Sequence, residues 1–190
     1  MTPAVPPRVL FVCEGNICRS PYATVAFSEL WSARDDTPAV PLSAGTRAPL
    51  GAGAHEQLRR FVVEPRSVAQ LDAHRSRRID AALIRSVDVV LTMERGHRRD
   101  VLALVPGALR RTYTLGEFAQ VAQAATESDV PLHGMSLDDV VGRFRLAARG
   151  AVDITDPVRG DASDFADMAH TVDDALKRVV ALLHAVAPRP

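Results

Sequence analysis

Cys13 and Arg19 stand six positions apart, separated by Glu14-Gly15-Asn16-Ile17-Cys18 and followed at once by Ser20-Pro21. A thiolate is a nucleophile, and a guanidinium is a planar fork that holds two phosphoryl oxygens at once in a way an ammonium does not. Gly15 and Asn16 are the residue types that most readily take positive φ, so the backbone between cysteine and arginine can curl until successive N–H groups point at one anion. A cysteine at the rim of such a nest is favoured as its thiolate. The chemistry on offer is attack by sulfur on a tetrahedral oxyanion. Spacing alone fits a buried core cysteine as well. That reading, however, accounts for none of the cysteine, the Gly-Asn turn, the arginine and the Ser-Pro helix start jointly, whereas anion binding uses all of them.

These residues need anchoring at both ends. Residues 8–13 (RVLFVC) form an apolar run without polar alternation, the pattern of a strand buried on both faces. Ser20-Pro21 reads as a helix start, with serine as N-cap and proline at the first helical position. Ala23, Ala26, Phe27, Leu30 and Trp31 then give that helix one apolar face. Helix N-terminal amides would add partial positive charge beside the loop. Further on, the sequence predicts a strand at 40–44, a helix at 54–63, a short helix at 81–85, a buried strand at 87–93 and a short fourth strand at 111–115. Phe165, Met168, Val172, Leu176, Val179, Leu183 and Val186 mark a long amphipathic C-terminal helix. This alternation indicates an α/β protein with an open parallel sheet and helices on both faces, where ligands sit beyond the carboxyl ends of strands. Residues 117–150 are looser and read as an insertion or lid. They hold a polar stretch at 126–134, then a helix from Ser136, which with Asp139 suggests a capping box.

At 190 residues the chain predicts a single domain spanning 1–190. Its 47% apolar and 24% charged residues describe a globular protein and exclude collagen-like, coiled-coil and low-complexity classes. The 23 basic residues cancel the 23 acidic ones, so no global field draws the protein to nucleic acid or to an anionic membrane, and neither is expected as a partner. All the basic residues but Lys177 are arginines. Those at 75, 77, 78, 98, 99, 110 and 111 lack interleaved aromatics and suggest a solvated face. Two cysteines are too few for a disulfide framework or a four-ligand zinc site. His55, His97, His133, His170 and His184 lack metal-ligand spacing, and Gly51-x-Gly53 lacks the strand and third glycine of a dinucleotide site. The N-terminal MTPAVPPR has no leader-like apolar stretch, so a soluble, cytoplasmic protein is expected.

The segment VLFVCEGNICRSPYA resembles the signature of the low-molecular-weight protein tyrosine phosphatases: a cysteine, five residues, then arginine and serine or threonine. Further pieces match in order: Ser43-Ala44-Gly45-Thr46, His74 with Ser76-Arg77, Val89-Val90-Leu91-Thr92-Met93, and Asp156-Pro157. The resemblance covers most of the chain outside 117–150. It implies a four-stranded, flavodoxin-like sheet of the phosphotyrosine phosphatase I type. It also implies a protein-tyrosine phosphatase acting through a phosphocysteine, on a phosphotyrosine protein or a small aryl phosphate, with inorganic phosphate as product. Cys13 would be the nucleophile, Arg19 the phosphate clamp and Asp156 the general acid; from the residues alone, Asp153, Asp161 and Asp164 compete with Asp156. Glu14, Gly15, Asn16, Ile17, Cys18 and Ser20 would complete the phosphate-binding loop. Asn16, Ser20, Ser43 and His74 would form the hydrogen-bonded shell that holds the loop curled. No metal or cofactor is implied, because the arginine and the nest neutralise the charge. The family also implies that Cys18 can form a reversible disulfide with Cys13; its other reading is a small buried apolar residue.

The chain departs from the family where a phenyl slot is walled. Val158 and Arg159 replace the usual tyrosines after Asp156-Pro157, and residues 47–53 (RAPLGAG) contain no aromatic. Tyr22, Phe118 or the 117–150 segment would have to supply the missing wall. Two other classes fit the loop. Arsenate reduction with an external thiol is one, told apart by arsenite release against phosphate release. A non-catalytic phospho-ligand module is the other, marked by the absence of a burst and of a labelled Cys13.

Overall fold

The run at 8–13 forms strand β1 (Val9–Cys13), and all five of its residues are buried. Alternate side chains of a strand point to opposite faces, so Val9, Phe11 and Cys13 enter one core while Leu10 and Val12 enter the other. An apolar run without alternation is what burial on both faces requires. Strand β2 (Leu42–Gly45) pairs on one side of β1 and β3 (Val89–Thr92) on the other, and β4 (Thr112–Thr114) closes the far edge of β3. All pairings are parallel, in the order β2-β1-β3-β4. This is the open four-stranded parallel sheet expected from the sequence. The computed structural model describes residues 6–34, 37 and 39–187; residues 1–5 of the N-terminal stretch considered above lie outside them.

Helix α1 (Arg19–Ser32) follows β1, with α2 (Pro65–Ala73) and α3 (Ala81–Arg85) between β2 and β3, and α4 (Arg95–Leu104) between β3 and β4. Then come α5 (Leu115–Thr126), α6 (Leu137–Phe144) and the long α7 (Ala162–Val186). The larger core joins β1 and β3 to α1, α5 and α7. Phe11 packs against Phe27 with ring centroids 5.7 Å apart, and Phe27 stacks on Trp31. Full burial of such a side chain is worth about 1.5–3 kcal/mol. Ile84 of α3 and Val101 of α4 cover the opposite face. Because the chain leaves β1 first toward β2 and later returns to β3 on the other side, the switch point of the sheet lies at the carboxyl end of β1, beside Cys13.

Several boundaries differ from the sequence reading. Cys18, not Ser20, is the N-cap of α1, so Ser20 and Pro21 are its second and third helical residues. Proline is still harmless there, because the first N–H groups of a helix have no partner within it. The shift releases the Ser20 hydroxyl from capping. The helix expected at 54–63 is a 3₁₀ segment, Glu56–Phe61. Helices α2 and α4 were not predicted: each buries only two residues, too thin an apolar stripe to stand out among charged neighbours. Part of the 117–150 segment is core rather than lid. A capping box between Thr114 and Glu117 starts α5, which buries Phe118, Ala119, Val121, Ala122 and Ala125 and packs along α7. Ser136 does cap α6, but only half of the capping box forms: its hydroxyl accepts from Asp139 N–H at 3.1 Å and donates to the Asp139 carboxylate at 2.6 Å.

Five of the clustered arginines hydrogen-bond backbone carbonyls. Arg75 reaches Asp72 and His74, Arg77 reaches Ser43, Arg78 reaches Ala48, Arg98 reaches Thr112 and Arg111 reaches Val87. Among the described residues no helix is long and apolar enough to cross a membrane.

Candidate active site

The loop between β1 and α1 wraps back under Cys13. Asn16 takes positive φ (52°), and its N–H donates to Cys13 Sγ at 3.2 Å. Ser20 Oγ lies 3.1 Å from the same sulfur, a contact in which either atom can donate; it accepts from Asn16 Nδ2 at 2.9 Å and donates to the Ala44 carbonyl at 3.5 Å. Cys13, Asn16 and Ser20 are buried.

The outer side of the loop is pinned by its carbonyls. Thr46 N–H donates to the Cys13 carbonyl (3.0 Å), Arg47 N–H to that of Glu14 (2.9 Å) and His55 N–H to that of Ile17 (2.8 Å). His74 Nε2 donates to the Asn16 carbonyl at 2.8 Å, which places the ring proton on Nε2 because a carbonyl only accepts. Burial holds the His74 pKa below its ordinary value, so the ring is neutral at pH 7. Asn16 Oδ1 accepts Arg77 N–H at 3.0 Å. With the carbonyls drawn outward, the N–H groups of Gly15, Ile17 and Cys18 have no partner among the described residues and are left to the concave side, as an anion nest requires.

Arg19 is almost wholly buried, with 1% of its surface exposed. Its Nη1 donates to Glu94 and, at 2.9 Å, to the Ile154 carbonyl; its Nη2 donates to Asp156. Counting the five N–H donors of a guanidinium, Nε–H and one Nη2–H remain. Nε is buried without a partner among the described residues. Nε–H and the Nη2–H beside it make up an edge of the fork that can grip two oxygens of a phosphoryl group.

Asp156 also accepts Val158 N–H at 3.2 Å on its other oxygen. Its competitors are occupied elsewhere: Asp153 accepts Arg95 N–H, and Asp161 and Asp164 form the capping box that starts α7. Cys18 is buried and free. Burial first, then Asp156 and Cys13, push its thiol up to about 12, so it is uncharged at neutral pH.

Ser43 does not take its expected place in the shell. Beyond the sheet ladder, its carbonyl accepts from Arg77 Nε at 2.8 Å, and on that strand it is the Ala44 carbonyl that accepts from Ser20 Oγ, at 3.5 Å. Ser43 is opposite Phe11 in the ladder and so shares the face of Cys13, but it stands two residues short of Gly45, the residue opposite Cys13. Two residues were missed. Glu94 holds Arg19 from just beyond the end of β3, and the sequence match stopped one residue short of it, at Met93. Gly45 backs the loop: a Cβ there would lie 2.4 Å from the Glu14 carbonyl oxygen and 2.9 Å from Asn16 N, so only glycine allows the approach.

Above the sulfur is an open cleft of about 550 Å³, walled by the loop, Arg47, Asp156, Val158 and Arg159. No aromatic lines it. Tyr22 is buried, with its hydroxyl 3.0 Å from both carboxylate oxygens of Asp173, and Phe118 is buried against Tyr113. The 117–150 segment does not reach the cleft either. A larger cavity of about 700 Å³ between α1 and α2 contains neither cysteine nor histidine.

Residues 8–138 match the family model described as low molecular weight phosphotyrosine protein phosphatase. Asp156 lies beyond that match, so its assignment rests on its contact with Arg19. The chain is 32% identical over 127 residues to a protein-arginine-phosphatase of Geobacillus stearothermophilus, covering 66% of this chain and 78% of that one. It is 32% identical over 111 residues to the low molecular weight protein-tyrosine-phosphatase Wzb of Salmonella typhi, covering 58% and 70%. Among solved structures, Wzb of Vibrio vulnificus in complex with benzylphosphonate superposes with a TM-score of 0.66 at 23% identity, over 93% of this chain and 98% of that one. The YwlE arginine phosphatase of Geobacillus stearothermophilus gives 0.65 at 25% identity, over 94% of each chain.

Proposed function

Because the chain belongs to the low-molecular-weight phosphotyrosine protein phosphatase family, we propose that it removes phosphate from phosphotyrosine in proteins through a phosphocysteine on Cys13. The observation that supports this most is the spare donor capacity of Arg19, at Nε and one Nη2–H, in the same cleft as a sulfur that receives the Asn16 N–H and lies 3.1 Å from Ser20 Oγ. The Cys13 thiolate attacks phosphorus in line with the leaving oxygen, and the S–P bond forms as the P–O bond breaks. Arg19 and the inward N–H groups hold the equatorial oxygens, whose charge grows in the transition state. Protonated Asp156 gives its proton to the departing phenolate oxygen. Asp156 then takes a proton from water as that water attacks phosphorus; the S–P bond breaks, returning the Cys13 thiolate and releasing inorganic phosphate. Ser20 donates to the sulfur whenever it is an anion and so favours it as nucleophile and as leaving group. Cys13 must be a free thiol for this cycle, which supports a reducing compartment such as the cytoplasm.

Phosphoarginine is the second reading, supported by the relative of that activity and by a cleft without an aromatic wall. Phosphate release from matched phosphotyrosine and phosphoarginine peptides decides between them. Trapping of labelled phosphate on Cys13 during turnover tests the chemistry common to both, and turnover without any cysteine adduct refutes it.

A further inference from the structure

Three arginines line the cleft over Cys13, and they differ in what already neutralises them. Arg19, at the floor, is held by Glu94 and Asp156. Arg47, on the wall that follows β2, pairs with Glu14 of the loop at 3.3 Å. Arg159 also lines the cleft, in the turn closed by the Gly160 N–H bond to the Pro157 carbonyl at 2.8 Å. It is exposed and makes no ion pair among the described residues. The cleft therefore carries one cation that no carboxylate among the described residues balances, placed at its wall rather than at the phosphate floor.

We infer that Arg159 is a specificity-determining residue that favours substrates with an acidic side chain next to the phosphorylated residue. The inference rests on the phosphatase reading above. The loop and Arg19 saturate the phosphoryl group at the floor. Only the phosphorylated side chain descends into the cleft, so the residues flanking it in a peptide arrive at the rim, where Arg159 stands. A flanking Glu or Asp meets an unpaired guanidinium, while a flanking Lys or Arg meets a like charge. Val158, 40% exposed beside Arg159, offers the apolar surface on that wall, and it packs against either kind of substrate without distinguishing them.

The experiment compares kcat/KM for three phosphotyrosine peptides that differ only in having Glu, Gln or Lys on both sides of the phosphorylated residue. Phenyl phosphate is the reference substrate, and the enzymes are wild type, Arg159→Ala and Arg159→Lys. For an exposed pair, wild type is expected to favour the Glu peptide over the Gln peptide by about two- to fivefold, mostly in KM, with the Lys peptide poorest. High salt shrinks the ratio by screening. With each peptide's kcat/KM divided by that of phenyl phosphate for the same enzyme, Arg159→Ala brings the ratio close to one and Arg159→Lys keeps most of it. A flat ratio in wild type, or one that Arg159→Ala leaves intact, overturns the assignment while phenyl phosphate turnover leaves the phosphatase reading standing. If wild type turns over neither phenyl phosphate nor any peptide, the phosphatase reading falls and the selectivity falls with it.

Discussion

Replacing Gly45 by alanine adds one methyl group at a position that touches no substrate, and it tests whether the curled loop depends on the strand behind it. The added carbon would lie 2.4 Å from the Glu14 carbonyl oxygen, 2.9 Å from Asn16 N and 3.0 Å from Ala48 Cβ. Backbone stands on two of these sides, so the conflict cannot be relieved by rotating a side chain. Ordinary contact begins near 3.4 Å, so the loop and β2 must separate by about 1 Å. That movement pulls at the Thr46 and Arg47 N–H bonds to the Cys13 and Glu14 carbonyls, which keep the concave face closed. Overpacking of this kind costs about 1–3 kcal/mol, which for a chain of this size is a fall in Tm of about 2–12 °C. Displacing a reacting group by about 1 Å can cost on the order of 100-fold in rate. The assay is steady-state hydrolysis of an aryl phosphate beside a thermal melt, at a temperature where the variant is fully folded. A Gly45→Ala enzyme with wild-type kcat/KM would show that the backing of the loop is irrelevant to its chemistry.

Cys13→Ser should abolish turnover, and Asp156→Asn should lose about 10²–10⁴-fold on poor leaving groups, less as the leaving group improves; equal losses across a series of aryl phosphates would remove Asp156 as proton donor. Glu94→Gln keeps the size of the side chain but takes the charge from a bond to buried Arg19, and is expected to lower kcat/KM by about 1–3 kcal/mol of transition-state stabilisation, with vanadate binding weakened in parallel. Burial lowers the pKa of His74 in the folded state, so the unfolded chain takes up the proton first: its contribution is intact above the ordinary value of 6.5 and declines as pH falls below it. Melting temperatures between pH 8 and 5 should therefore fall less in His74→Gln than in wild type, and parallel curves would contradict this. With the Cys18 thiol pushed up to about 12, iodoacetamide at pH 7 should label Cys13 alone, with phosphate protecting it; mass spectrometry showing a Cys18 adduct would refute the assignment.

Much of this protein can be read along the chain. The unbroken apolar run that forms β1 reports burial on both faces without help from any distant residue. Gly15 and Asn16 announce a backbone that curls, and the spacing of Cys13 and Arg19 announces what it curls around. These are local properties, decided by steric and donor preferences within a few residues. What lies opposite the loop is different. Glu94 and Asp156 meet on Arg19 although 62 positions separate them, because two different strand ends and a connecting loop converge at one switch point. Gly45 matters only because β2 pairs beside β1 in the register that sets it against Cys13. Tyr22 and Phe118, aromatic and near enough in sequence terms to wall a pocket, are turned into the core by the packing of α7 and β4. Whether Arg159 is balanced or free depends on which carboxylates end up within reach, and only the tertiary structure brings them there or keeps them away.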